Sequence, residues 1–468
     1  MKNIIILILI ALMSISCEDN FLNDPVPTSS VSDVVIFGSR EGAEALLSGI
    51  QRRFREQFTR TDAGGVYSLY MARSVKGNDL IQNSWYNFDY DNDNREPTYV
   101  RTVFSWEYPY YMINQANSLI NGVEASSAIS DADKIELIAQ GKALRAFFYF
   151  QLALEFQHTY TYDPSLPAPP IYTELSLEGK PMTTLSEMYD FIVSDLIDAV
   201  SGLDNSRLGK SYVNKQVANG ILANVYLVME NWAGAEAAAH DAYGGNVSAV
   251  LNASTYDDGF DDIDNIEWIW GMPQTNDQSN YYYLAPHAFS DHNADGYFGT
   301  YINREFVDLF SDTDVRNLFE TPYTTTLDNW NHYTTTKFAF AFDSDMPLMR
   351  TPEMILIEAE AMFKQNRETE AHDLLYELQL NRDPLAVKSS NTGSALYEEI
   401  LIERRKELYA EIGVEWFDAK RLRRGIARTG NHRLFSPLAP DDKKFFLKIP
   451  QKEIDANENI DNSVNTNR

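Results

Sequence analysis

Three clusters of aromatic residues bring their own polar neighbours with them. Asn83-Ser84-Trp85-Tyr86-Asn87 is one, Tyr281-Tyr282-Tyr283 is a second, and Trp330 with His332 and Tyr333 is the third. A sugar ring has an apolar face of C–H groups and an equator of hydroxyls. It is held by an aromatic plate against the face and by amides or carboxylates at the edge. Trp85 and Tyr282, with Asp79, Asn83 and Asn87, supply both kinds of contact. Each good stack contributes about 0.5–1.5 kcal/mol beyond burial, so a working site needs several. The expected ligand-binding residues are therefore Asp79, Asn83, Trp85, Tyr86, Asn87, Tyr281, Tyr282, Tyr283 and Trp330, with Trp85, Tyr282 and Trp330 lining one face. The competing role for each ring is to pack its own loop against the body.

Other chemistries find less support. The histidines, His158, His240, His287, His292, His332, His372 and His432, form no His-Glu-x-x-His pair and have no cysteine neighbours, which argues against zinc. Asp291 between His287 and His292 fits a polar loop better than a metal site. Asp89, Asp91 and Asp93 imitate the start of a calcium loop, but its twelfth position is Val100, where a bidentate Glu is required. Asp257, Asp258, Asp261, Asp262 and Asp264 form a second acidic cluster. Both clusters read as solvated loops, with a structural calcium as the alternative, and no metal or cofactor is expected. There is no Gly-x-Ser-x-Gly elbow and no phosphate-binding Gly-x-x-x-x-Gly-Lys-Ser/Thr. Glycoside hydrolysis needs two facing carboxylates, and with 68 acidic residues sequence alone cannot pair them. The net charge of -29 makes nucleic acid an unsuitable partner, because phosphate binding needs clustered cations. The one basic stretch, 404–433, could serve as an anion site, but the charges of 403–424 read better as intrahelical pairs and a contact face, since Glu403 and Glu407 alternate with Arg404, Arg405 and Lys406.

The scaffold that must carry these loops is helical. Apolar residues recur three and four apart over 41–58, 99–122, 131–156, 186–203, 213–229, 232–243, 352–365, 369–381 and 394–422, and no comparable strand alternation appears. In the pair 213–243 the first helix carries Ala218, Gly220 and Ala223 and the second Ala235, Ala237, Ala238 and Ala239, small residues of the kind that let two helices approach. This resembles tetratricopeptide repeats without their regular period. Between the pairs run long polar and aromatic stretches, 75–99, 158–184, 244–300 and 319–347; loops of that length in a compact protein usually carry function. The expected fold is mainly α, a single large domain of tetratricopeptide-like helix pairs with long irregular loop insertions.

At the other end of the chain, Lys2 precedes an apolar run from Ile4 to Met13, too short to span a bilayer and laid out like a secretory signal. Small residues then lead to Cys17, the only cysteine. Ser14-Ile15-Ser16-Cys17 resembles a lipobox, with Ser14 where Leu is usual. The expected organisation is a signal peptide over 1–16, a lipidated Cys17 with a flexible tether over 17–33, and a helical body over 34–468. A mature chain of roughly 450 residues without disulfides must rely on its core.

The local sequences resemble the SusD/RagB family of outer-membrane nutrient-binding lipoproteins over nearly the full length. The motifs, in order, are Asp19, Phe21, Leu22 and Pro25 behind the cysteine; Trp106, Tyr110, Ile113, Ala116 and Asn117; then Gly141-Lys142-Ala143-Leu144-Arg145-Ala146-Phe147-Phe148-Tyr149. Asn265-Ile266-Glu267-Trp268-Ile269-Trp270 and Leu348-Met349-Arg350 follow, then Glu358-Ala359-Glu360-Ala361. Most specific is Glu403-Arg404-Arg405-Lys406-Glu407-Leu408, running through Glu411, Gly413, Trp416, Phe417 and Asp418 to Arg421, and the chain closes on Ile449-Pro450-Gln451. Glu415 stands where the family commonly has Arg, and the usual Gly-Tyr ending is absent, so local contacts there should differ. The resemblance implies a lipid-anchored cell-surface protein of the outer membrane that does no covalent chemistry. It implies a hinged lid that captures a glycan or peptide and closes over a SusC-like TonB-dependent transporter. A glycan is favoured over a peptide because aromatics and amides outnumber charge clamps. A surface-anchored glycan hydrolase and a helical-repeat scaffold without a small ligand are the competing classes.

Overall fold

The computed structural model describes residues 32–55, 63–83, 95–276, 286–293 and 299–468. Its long helices are α1 (Arg40–Arg52), α2 (Val66–Ser74), α3 (Val100–Ala125), α4 (Asp131–Phe156), α5 (Leu185–Gly202), α6 (Lys215–Met229), α7 (Trp232–Tyr243), α8 (Thr351–Lys364), α9 (Glu368–Arg382), α10 (Ser394–Leu408) and α11 (Val414–Arg421). The architecture is mainly α. Consecutive helices pack on one another from α3 to α7, and α8 rejoins the stack against α7 and α9.

The starts of these helices are written into the chain. Ser130 accepts the Asp133 N–H to cap α4, Thr184 and Glu187 form a reciprocal capping box on α5, and Asn214 accepts the Val217 N–H on α6. From Ala143 onward α4 is buried on every side, and Leu144, Phe148 and Leu152 make it the axis of the main core. At Gly220 a Cβ would lie 2.2 Å from the Met349 sulfur, so a larger residue there would push that side chain out of its place against α6.

Two features of the helical reading are corrected by the structure. The single helix expected over 394–422 is broken into α10 and α11, because Ala410 and Gly413 take positive φ of 62° and 75°, and a Cβ at Gly413 would lie 2.3 Å from that of Arg73. α2 lies where no helix was expected; every one of its residues is buried, so it shows no polar face to reveal a period.

The long loops contain short strands. β1 (Leu80–Gln82) pairs antiparallel with β3 (Thr300–Ile302), with Leu80 opposite Ile302 and Gln82 opposite Thr300. β2 (Trp268–Met272) pairs with β4 (Met346–Arg350), and all ten of their residues are buried. Strands covered on both faces lose alternation, which is why the sequence pattern hides them. A second apolar cluster of Leu80, Tyr256, Phe260, Ile302, Phe306, Phe310, Phe338 and Tyr409 sits beneath the β1–β3 ladder.

Between the two cores lies a buried charge network. Glu407 receives Arg350 at 2.8 Å, Arg316 at 3.0 Å and Arg382 at 3.1 Å, while Glu267 receives Arg382 at 2.7 Å and Glu411 receives Lys337 at 2.6 Å. The three arginines hold the Glu407 carboxyl well below the usual carboxylate range, against the opposing effect of burial. The expectation that 403–407 pairs within its own helix is thereby corrected. Arg404 pairs with Asp418 on α11, and Glu407 reaches Arg350, Arg382 and Arg316 on three other segments.

Candidate ligand site

The site is built on the end of the β1–β3 ladder. β1 leaves its pairing at Asn83, whose N–H donates to the Gly299 carbonyl at 2.8 Å. Arg433 crosses to this point: its Nη1 donates to the carbonyl of Gln82 at 3.2 Å and to that of Asn83. The same guanidinium lies 5.0 Å from the centroid of the Trp330 ring, the distance of a cation–π contact. Trp330, half-buried, stands edge-on to Tyr301 at 5.0 Å, and Tyr301 comes from β3 itself. Asn83 and Trp330, far apart in sequence, are thus joined through Arg433.

The surrounding groups fix these rings. Asn431 donates from its amide to the Asn329 carbonyl at 2.8 Å and accepts the Arg304 N–H at 3.0 Å, tying the segment before Arg433 to the loop that carries Trp330. Tyr323 lies on the open side, 39% exposed, and its hydroxyl is 3.0 Å from His292 Nδ1. His292 Nε2 lies 2.9 Å from the Thr300 carbonyl, so that nitrogen is the donor and Nδ1 accepts from Tyr323. Burial lowers the His292 pKa, consistent with this neutral tautomer. Burial, then Tyr323, raise Tyr301 to about 12, so its phenol stays protonated. The result is an aromatic wall of Trp330, Tyr301 and Tyr323 with one fixed cation and backbone carbonyls at its foot. Such a wall can stack on a ring and hydrogen-bond to its hydroxyls.

The expected site residues divide into three groups. Asn83 and Trp330 come together as described. Asp79, at the other end of β1, is 4% exposed, and its two carboxylate oxygens accept from Arg405, one at 3.0 Å from Nε. Trp85, Tyr86, Asn87, Tyr281, Tyr282 and Tyr283 lie outside the described residues, as does Cys17. Tyr301, Tyr323, His292 and Arg433 were missed as ligand-face residues. The only hint in the sequence was that Arg433 stands beyond the paired helix charges, after Gly430-Asn431-His432.

Among the described residues, no three His, Cys, Asp or Glu side chains converge as metal ligands. In the 257–264 cluster, burial and the charges of Asp262, Asp258 and Asp343 raise the Asp261 pKa. Ser389 donates to Glu399 at 2.6 Å and lies 3.1 Å from His372 Nε2, so its carboxylate partner sits on the serine and not on the far imidazole nitrogen, unlike a catalytic relay. A cavity elsewhere, inside the helical core between Arg73, Gln151, Asn224, Trp270 and Glu353, has a volume of about 50 Å³ and suits a few waters rather than a sugar. No described helix is long and apolar enough to cross a membrane.

Comparison with known proteins agrees with this architecture. The profile of a family described as "Starch-binding associating with outer membrane" matches residues 57–227, and that of the SusD family matches residues 273–466. Among solved structures, a SusD-like carbohydrate binding protein from Bacteroides vulgatus is 28% identical with a TM-score of 0.81, covering 91% of this chain and 98% of its own. A SusD superfamily protein from Bacteroides thetaiotaomicron, at 24% identity and a TM-score of 0.79, covers 90% of this chain and 99% of its own, and shares the fold. No curated protein matches the chain. With both profiles together spanning most of its length and the helical scaffold in common, the chain belongs to the SusD family.

Proposed function

We propose that this protein is a cell-surface lipoprotein that captures a glycan on the Trp330 wall and passes it, as a hinged lid, to a SusC-like TonB-dependent transporter. The observation that carries the reading is the assembly of Trp330, Tyr301, Tyr323 and Arg433 around the end of β1. Rings held this firmly lose little freedom on binding, which favours a weakly hydrated sugar face. Trp85, Tyr86, Asn87, Tyr281, Tyr282 and Tyr283 complete the ligand face in this reading, with Asn83 at its edge and Asp79 behind it. Cys17 carries the lipid and 18–33 is the tether. The glycan reading is supported by the Bacteroides vulgatus relative being described as carbohydrate binding and by the matched family being described as starch-binding, and the location by that family's association with the outer membrane.

The experiment is a calorimetric screen of oligosaccharides, with maltoheptaose first, and of peptides against the full chain in detergent, alongside purification of the tagged chain from membranes. Binding of a sugar and recovery of a large barrel protein are expected. Binding of peptides alone would move the ligand class. Release of reducing ends from any glycan would replace capture by hydrolysis.

A further inference from the structure

The end of β1 that faces away from the ligand wall is held by a carboxylate that the ligand site does not use. Glu415 stands in the first turn of α11, and its Oε2 accepts the N–H of Asn78 at 2.6 Å and that of Asp79 at 3.0 Å. Gly77 makes room for it: a Cβ there would lie 2.0 Å from the same oxygen. The turn is gripped from the other side as well. The Asp79 carbonyl accepts the Asn303 N–H at 2.9 Å, the Asn303 amide donates to the carbonyls of Asn78 and Thr429, and the Thr429 N–H donates to Asn78 Oδ1 at 2.8 Å. Leu80–Gln82 follows immediately, paired to β3, and ends at the two carbonyls held by Arg433. A movement of the 77–79 turn therefore has one short, hydrogen-bonded strand through which to reach Arg433 and Trp330.

The charges around this turn are unbalanced. Asp79 and Glu415 are two acids beside one guanidinium, Arg405 of α10, and Arg405 gives a hydrogen bond to each carboxylate oxygen of Asp79. The other charged groups nearby are engaged elsewhere. Asp418 of α11 pairs with Arg404 and Arg421, Arg424 pairs with Glu398, and Arg428 donates to the Lys76 carbonyl. Burial and then the Asp79 charge push the Glu415 carboxyl up to about 7, against the pull of Arg405 and the two N–H donors. The folded turn thus favours the protonated acid. Its contribution is full at low pH and is lost as pH rises from the ordinary Glu range through about 7.

We propose that Glu415 is a positioning residue for the ligand face: it fixes the 77–79 turn, through β1 sets Asn83 and Arg433 against Trp330, and loosens that wall when it gives up its proton. This rests on the ligand site of the preceding subsection. Protonated, Glu415 still accepts both N–H groups through Oε2 and places no second charge beside Asp79. Ionised, it keeps the bonds but repels Asp79, and the turn opens more often.

Amide hydrogen exchange on the full chain in detergent tests this without a ligand, with exchange expressed as protection factors at pH 6 and pH 8. In the wild type, protection over 78–83 should fall roughly tenfold between these pH values, while 143–153 of α4 stays unchanged, a tenfold change corresponding to one pKa unit of coupling. Glu415→Gln, whose carbonyl accepts the same N–H groups without titrating, should show no fall. Glu415→Ala should be poorly protected at both pH values. A Glu415→Gln protein that keeps the wild-type fall, a wild type that shows none, or a Glu415→Ala protein as protected as wild type overturns the proposal. Calorimetry with maltoheptaose on the same samples separates the two readings. Expected is affinity several-fold weaker at pH 8 for wild type only. If exchange behaves as expected but mutation of Trp330 leaves binding intact, the ligand site is misread and the latch stands. If Trp330 is required but exchange over 78–83 is flat, the latch alone fails.

Discussion

The guanidinium of Arg433 lies 5.0 Å from the ring centroid of Trp330 while its Nη1 donates to the Gln82 carbonyl at 3.2 Å. One side chain thereby fixes a loop tryptophan relative to a strand end, and three separate stretches of chain become a single wall.

Arg433→Ala should weaken binding of the captured oligosaccharide roughly tenfold, about 1.4 kcal/mol, within the range of a partly desolvated cation–π contact plus lost positioning. Arg433→Lys should recover only part of this, because a point charge cannot hold a carbonyl and a ring face together. Calorimetry gives the affinities, and an unchanged melting temperature shows that the loss is local.

Removing the hub of the buried network is a stability experiment. Glu407 is fully buried among Arg316, Arg350 and Arg382, so Glu407→Ala leaves three cations with one anion fewer. Destabilisation by about 3–5 kcal/mol is expected from denaturant unfolding. A change below about 1 kcal/mol would mean the network relaxes or hydrates freely.

Glu353 gives a pH prediction. Burial pushes its carboxyl up to about 7, against Arg404 and the Asn224 amide that donates to it at 2.9 Å. Below the ordinary Glu range both states hold the proton. Between there and about 7 the unfolded chain releases it first, so this group makes the protein less stable as pH rises, and above about 7 the deficit is complete. Glu353→Gln should therefore gain stability over wild type at pH 8, by up to roughly 3 kcal/mol, and little at pH 4.5. Urea unfolding of both proteins at the two pH values measures the difference; equal gains at both would remove the titration from the explanation.

Cys17→Ala tests the anchor. The variant should leave the membrane fraction on cell fractionation yet bind ligand like wild type. Loss of binding in the released protein would mean that the cysteine and the site are not separable.

Much of the scaffold was legible because core-facing helices repeat every three to four residues and their caps are local. 131–156 and 232–243 were read with the bounds that the structure gives. What was illegible depends on contacts distant in sequence. Glu403, Arg404 and Glu407 alternate in sign like a solvated helix face, and only the arrival of Arg316, Arg350, Arg382 and Asp418 turns that face inward. Asn83 and Trp330 are marked by residue type, but Tyr301 carries no local signature and Arg433 only its position after Gly430-Asn431-His432, so both become visible as site residues only once β1 pairs with β3. Glu415 stands out in the sequence only as a departure from the family's usual Arg; its grip on Asn78 and Asp79 depends on the fold.

The most direct measurement is calorimetric titration of the full chain and of the triple variant Trp85→Ala, Tyr282→Ala, Trp330→Ala with the oligosaccharide that the screen identifies. The account predicts saturable binding by the wild type and none detectable for the folded triple variant, because the stacking surface is gone. Equal affinity in the two proteins would contradict it and place the ligand away from the aromatic loops.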